Sequence, residues 1–205
     1  MSTILLIRHG ENDFVKKGRL AGRKAGVHLN TKGRAQADQL AKYLSNQSIK
    51  AIYSSPLERT METAQPIATA LGLKVIARPG LLEVDFGDWQ DKTLKQLRRR
   101  KLWRVVQSTP SRARFPEGES FAEAQLRICK EIDNICTLHK PTDKIVCVGH
   151  SDMIKLTLTY YLGMPIDSFQ RIIVMPASIS TIHISDHGVH VINVNHVIPL
   201  EKPEK

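Results

Sequence analysis

Acidic residues are scarce in this chain: 20 Asp and Glu face 30 Lys and Arg, which leaves a formal charge of +10. Such a balance implies affinity for anions, of a kind the charge alone does not name. Cysteine is scarcer still. Cys129, Cys136 and Cys147 are odd in number and lack metal-ligand spacing, which argues against a disulfide framework or a zinc site. They sit in apolar company and read as free buried thiols of a reducing cytosol, so the expected location is cytoplasmic. No apolar run is long enough to span a bilayer, and the run at 3–7 is too short for a signal-peptide core. Internal repeats, low-complexity linkers and domain boundaries are also missing. The expectation is one domain over 1–205, with a core of about 3–195 and a charged tail at 199–205. Hydrophobic content of 41% and charged content of 24% are ordinary for a soluble globular protein.

What is present begins with Thr3-Ile4-Leu5-Leu6-Ile7, an apolar run that reads as a buried strand. It stops on Arg8-His9-Gly10-Glu11. An arginine and a histidine at the carboxyl end of such a strand stand where open α/β sheets bind ligands, and the glycine permits a sharp turn and a close approach. Residues 12–30 hold three of the twelve glycines and several basic side chains, and read as a loop across the mouth of the sheet. Thr31 is the expected cap of a helix that buries Ala37, Leu40, Ala41 and Leu44. A strand at 50–54 leads into Ser55-Pro56-Leu57-Glu58, which reads as a capping box with proline in the first helical position. Arg59 then lies in the first turn, where helix N-termini already attract anions.

After a strand at 73–77 comes Leu81-Leu82-Glu83-Val84-Asp85-Phe86-Gly87-Asp88-Trp89. Three carboxylates lie here among apolar and aromatic residues, a setting that raises carboxyl pKa values and suits a proton donor; spacing does not choose among them. Residues 92–104 hold seven basic side chains and no acid, with Leu94, Leu97 and Trp103 marking one helix with an apolar side. Aromatic interleaving is limited to Trp103, and no nucleic-acid reader motif appears, so nucleic acid is not an expected partner. The favoured role of this run is a rim that attracts substrates carrying a second anionic group. Ser120 and Glu123 form another capping box, and the strand at 144–149 ends on Gly149-His150-Ser151. Runs at 179–184 and 189–194 flank a turn at Asp186-His187-Gly188 and read as a closing hairpin. Its histidines, His183, His187 and His190, read as exposed polar positions rather than metal ligands.

Strand ends carrying Arg8 and His9, Arg59, and His150 can converge on one sheet edge although they are far apart in sequence. Two arginines and two histidines around one point make a site for a tetrahedral dianion, with phosphate the natural candidate. Arg8-His9-Gly10-Glu11, Gly33-Arg34-Ala35-Gln36-Ala37, Arg59, Leu82-Glu83…Phe86-Gly87-Asp88-Trp89 and Gly149-His150-Ser151, in this order, resemble the histidine phosphatase superfamily. The cofactor-dependent phosphoglycerate mutases belong to that group.

The resemblance implies an α/β fold: a doubly wound, mixed but mostly parallel six-stranded sheet with helices on both faces. It also implies catalysis through a phosphohistidine, without metal or cofactor. By resemblance His9 is the nucleophile, Arg8, Arg59 and His150 hold the phosphoryl oxygens, and Glu83 is the proton donor. Gly22 and Ser151 complete the expected substrate-binding set. The family commonly has Asn where this chain has Val15, and Asn12 is the expected replacement. Mutases of the family carry an arginine, a tyrosine and a threonine where this chain has Val84, Phe86 and Ala21. Those losses favour a phosphatase acting on a small phosphorylated metabolite, with a mutase as the alternative and a non-catalytic or nucleic-acid-binding protein behind both. Neither monomer nor homodimer is singled out.

Overall fold

The apolar run at the start of the chain becomes β1 (Thr3–Arg8), and both of its sheet neighbours come from late in the sequence. A computed structural model describes residues 2–200. After β1 come α1 (Asp13–Lys16), α2 (Thr31–Leu44), β2 (Ile49–Ser54), α3 (Glu58–Leu71) and β3 (Val75–Ala77). The short helices α4 (Leu94–Leu97) and α5 (Lys101–Ser108) precede the long α6 (Phe121–Thr137). The chain then forms β4 (Lys144–Gly149), α7 (Ser151–Tyr161), β5 (Ile179–Ser185) and β6 (Gly188–His196).

The six strands form one sheet in the order β3-β2-β4-β1-β5-β6. β1 to β4 are parallel, while β5 and β6 are antiparallel to their neighbours, so the sheet is mixed and mostly parallel. Side chains on β1 alternate as a strand requires. Ile4 and Leu6 join Ile128, Ile132 and Leu156 of α6 and α7, whereas Ile7 joins Leu40 and Ile67 of α2 and α3 on the other face. Helices therefore cover both faces. The expected inner face of α6 (Ala124, Ile128, Ile132 and Ile135) is buried throughout. At about 1.5–3 kcal/mol per fully buried isoleucine, this packing outweighs the modest helix propensity of β-branched residues.

Several local expectations shift. Asn30, not Thr31, caps α2, its Oδ1 accepting from the Gly33 amide at 2.8 Å. The capping box at Ser55 does not form, and α3 starts at Glu58 without a side-chain cap. Ser55 is engaged elsewhere: its Oγ meets His150 Nε2, and its carbonyl accepts from Thr60 Oγ1. Glu58 turns outward to accept from the Gly26 amide. The mouth loop contains the short α1, and the third strand shrinks to Val75–Ala77. The basic run is two helices rather than one. Its break at residues 98–100 lets α5 restart at an angle that stacks Trp103 on Trp89. The capping box at Ser120 and Glu123 and the closing hairpin form as expected. Residues 201–205 of the expected tail lie outside the described residues.

Candidate active site

Because β1, β2 and β4 are parallel, their carboxyl ends share one edge, and the cleft lies there. The His9 amide donates to the Gly149 carbonyl at 3.0 Å, which locks the two histidine-bearing strand ends side by side. The chain then turns at Gly10, where a Cβ would come within 2.6 Å of the Gly33 carbonyl oxygen of α2. Only glycine fits there. The Gly10 amide donates to Thr63 Oγ1 at 3.0 Å, and that hydroxyl donates to the Arg59 carbonyl at 2.7 Å.

The ring of His9 is 4% exposed, with Nδ1 2.7 Å from the Gly10 carbonyl oxygen. A carbonyl only accepts, so Nδ1 carries the proton and Nε2 keeps its lone pair. Burial pushes the His9 pKa well below its usual value, with Arg59 and Arg8 adding to the shift. The imidazole is neutral. His150 is fully buried, its ring centroid 5.4 Å from that of His9. Arg59 Nη2 donates to His150 Nδ1 at 3.2 Å, which leaves the proton on Nε2 to be donated to Ser55 Oγ at 2.9 Å. Burial, then Arg59, depresses the pKa of His150 as well.

Arg59 is 1% exposed and donates through Nη2 to the Gly22 carbonyl at 2.7 Å; Arg8 donates through Nη1 to Val174 O at 2.6 Å. Arg59 Nε and Nη1, Arg8 Nε and Asn12 Nδ2 are buried without a protein hydrogen-bond partner. Buried donors are normally satisfied. Four unsatisfied N–H groups on residues lining one cleft of about 270 Å³ are the signature of an anion seat. Asn12 Oδ1 caps α1 by accepting from the Val15 amide at 2.9 Å, which leaves its amide nitrogen for the cleft. Gly22 and Ser151 also line it.

Of the three carboxylates after residue 81, the structure separates one from the others. Asp88 is exposed, and Asp85 accepts from the Gly87 amide and meets Arg23 at 3.4 Å. Glu83 alone is buried in the cleft, with Oε2 3.9 Å from His150 Nδ1 and Oε1 accepting from the Val84 amide. Burial, helped by Asp152 and opposed by Arg59, raises its pKa to about 7. It can hold a proton at neutral pH beside two guanidinium groups.

Sequence reasoning missed the groups that position these side chains. Arg127 Nη1 donates to the Gly80 and Leu82 carbonyls, and Nη2 donates to Glu119 and Glu83 O. Arg23 donates to Glu83 O at 2.9 Å and pairs with Glu119. Asp152 lines the cleft from the first turn of α7, and its spacing two residues after a strand-end histidine is its signal in the sequence. None of the seven basic residues in 92–104 lines the cleft. On the hairpin, His183 and His190 face each other across β5 and β6, away from the cleft.

A family model described as "Histidine phosphatase superfamily (branch 1)" matches residues 4–197. The chain belongs to this superfamily. Among curated relatives of the superfamily, it is 29% identical over 197 residues to "Phosphoserine phosphatase 1" of Hydrogenobacter thermophilus, covering 95% of this chain and 92% of the relative. It is 31% identical over 185 residues to "Probable phosphoglycerate mutase GpmB" of Yersinia enterocolitica, covering 89% and 85%. The crystal structure of a phosphoserine phosphatase from Entamoeba histolytica, in complex with 3-phosphoglyceric acid, superposes with a TM-score of 0.86 at 26% identity, covering 96% of this chain and 98% of that one. The phosphoserine phosphatase thus shares this sheet and helix arrangement. No helix among the described residues is long and apolar enough to cross a membrane.

Proposed function

We propose that this histidine phosphatase hydrolyses small phosphomonoesters through a phosphohistidine on His9. The observation that carries the reading is the set of unsatisfied buried donors on Arg8, Arg59 and Asn12 beside a neutral imidazole whose Nδ1 is tied to Gly10. Arg8, Arg59 and Asn12 seat the phosphoryl oxygens, and the guanidinium groups stabilise the charge that spreads over them in transfer. His9 Nε2 attacks phosphorus as the ester P–O bond breaks. The Glu83 carboxyl gives its proton to the departing oxygen. Glu83, now a carboxylate, takes a proton from water as that water attacks phosphorus, the P–N bond breaks and His9 is restored with phosphate released. Ser151 completes the seat, while His150 orients Arg59 by accepting from its Nη2, and Gly22 fixes Arg59 through its carbonyl.

A mutase must hold a second anion at the far end of its substrate. Ala21 and Phe86, which line this cleft, offer a methyl and a phenyl group, and Val84 is fully buried, so hydrolysis is the better reading. The test is hydrolysis of p-nitrophenyl phosphate in EDTA. Turnover is expected to survive chelation and to fall by about 10³-fold or more in His9→Ala. Retained turnover in that variant sinks the mechanism. Phosphoryl transfer between phosphoglycerates without net hydrolysis points to the mutase instead.

A further inference from the structure

A second chamber of about 320 Å³ adjoins the phosphate seat, and Leu20, Phe86, Leu94 and Asp152 line both. An ester held at His9 therefore presents its organic end to this shared wall. Its lining combines aromatic and aliphatic side chains with Arg98, Gln107, Asp152, Lys155 and Gln170. Trp89 and Trp103 stack with ring centroids 6.2 Å apart and 20° between their planes, and Phe115 meets Trp89 edge-on at 5.2 Å. Leu97 and Val106 extend the apolar surface. The charged groups stand differently from what the basic run led one to expect. Lys155 is held 3.2 Å from Asp152, and Arg98 is exposed. A second phosphate or carboxylate meets no buried, uncommitted cation here, whereas a flat apolar group meets the half-buried Trp103 ring, backed by Trp89, together with Leu20 and Leu94.

Building on the phosphatase reading, we propose that this chamber is a specificity subsite for the alcohol portion of the ester. The favoured substrates are monoesters whose alcohol carries an aromatic ring system. Burying such a group releases water from the ring and from the chamber walls and adds ring–ring contact.

The chain's two tryptophans both line this chamber, so intrinsic indole fluorescence reports on it directly. Phenethyl phosphate and ethyl phosphate are both alkyl esters, so their leaving groups need the same help and their rates compare binding. Wild type is expected to favour phenethyl phosphate over ethyl phosphate by about tenfold in kcat/KM. Trp103→Ala is expected to reduce the phenethyl-to-ethyl ratio by about fivefold or more. Equal kcat/KM values for the two esters, or a ratio untouched in a folded Trp103→Ala, overturn the subsite. Binding to wild type supplies an arm that needs no turnover. Benzylphosphonate, which cannot be hydrolysed, is expected to quench tryptophan emission saturably, and methylphosphonate at the same concentrations is not. If no ester is hydrolysed but benzylphosphonate still quenches, the phosphatase reading falls and the subsite stands. If esters are hydrolysed but both phosphonates behave alike, the subsite falls alone.

Discussion

At Glu83, burial and the nearby Asp152 favour the neutral acid, while Arg59 and Arg8 favour the carboxylate. Burial wins, and the proton is held to about pH 7. Since a donor must be protonated and His9 is neutral well below its usual pKa, activity on alkyl phosphates is expected to be high on the acid side and to fall above about pH 7. Glu83→Gln is expected to lower kcat/KM for alkyl phosphates by about 10²–10⁴-fold and to abolish that fall. The effect on p-nitrophenyl phosphate should be smaller, because its leaving group needs little protonation. A pH–rate series on both substrates checks this. The same shift carries a stability consequence. A carboxyl whose folded pKa lies above its unfolded value stabilises the fold fully below the unfolded pKa and loses that contribution as pH rises through the folded one. Thermal unfolding should therefore show the Tm advantage of Glu83→Gln over wild type growing between about pH 5 and about pH 8. Among single residues, Arg8, His9 and His150 were legible because each ends or follows an apolar strand. Asp152, Arg23 and Arg127 were not, because what marks them is contact across the fold. Arg127 looks like any polar position on α6 until the carbonyls of residues 80–83 are seen beneath it.

At the scale of elements, α2 leans directly on the turn that carries His9. A Cβ on Gly33 would stand 2.0 Å from the Glu11 carbonyl oxygen, so this glycine in the first turn of a helix is there for close approach. Gly33→Ala is expected to cost about 1–3 kcal/mol through overpacking and to lower kcat as the Arg8–His9 turn is displaced. Urea unfolding with parallel kinetics tests it; an unchanged midpoint and unchanged kcat refute it. The sequence of the two capping boxes looked alike, yet only Ser120 caps. Ser120 and Glu123 face solvent and are free to close on each other, whereas Ser55 lies beneath His150, and that tertiary hydrogen bond outcompetes the local one. Sequence periodicity located the elements well where one face meets the core. It failed at the basic run, where the break between α4 and α5 serves a tryptophan pair that no local pattern announces.

For the molecule as a whole, a formal charge of +10 creates a field that draws anionic substrate toward the protein. Raising ionic strength from about 0.02 to about 0.3 M is expected to reduce kcat/KM for a dianionic ester several-fold, mainly through KM. A flat salt profile contradicts it. The layered α/β arrangement was legible from the alternation of apolar strands and amphipathic helices, and the resemblance of motifs supplied the strand count. The two-chamber mouth was not legible, because its walls come from residues near 20, 86–115 and 152–170. The place of β1 between β4 and β5 also sets the order in which function appears during translation. The strand that carries Arg8 and His9 leaves the ribosome before either of its partners, and both edges stay bare until residues 144–149 and 179–185 have been synthesised. A nascent chain that has not reached β4 leaves this strand unpaired, and a truncated product ending before β4 lacks both the partner of that strand and His150.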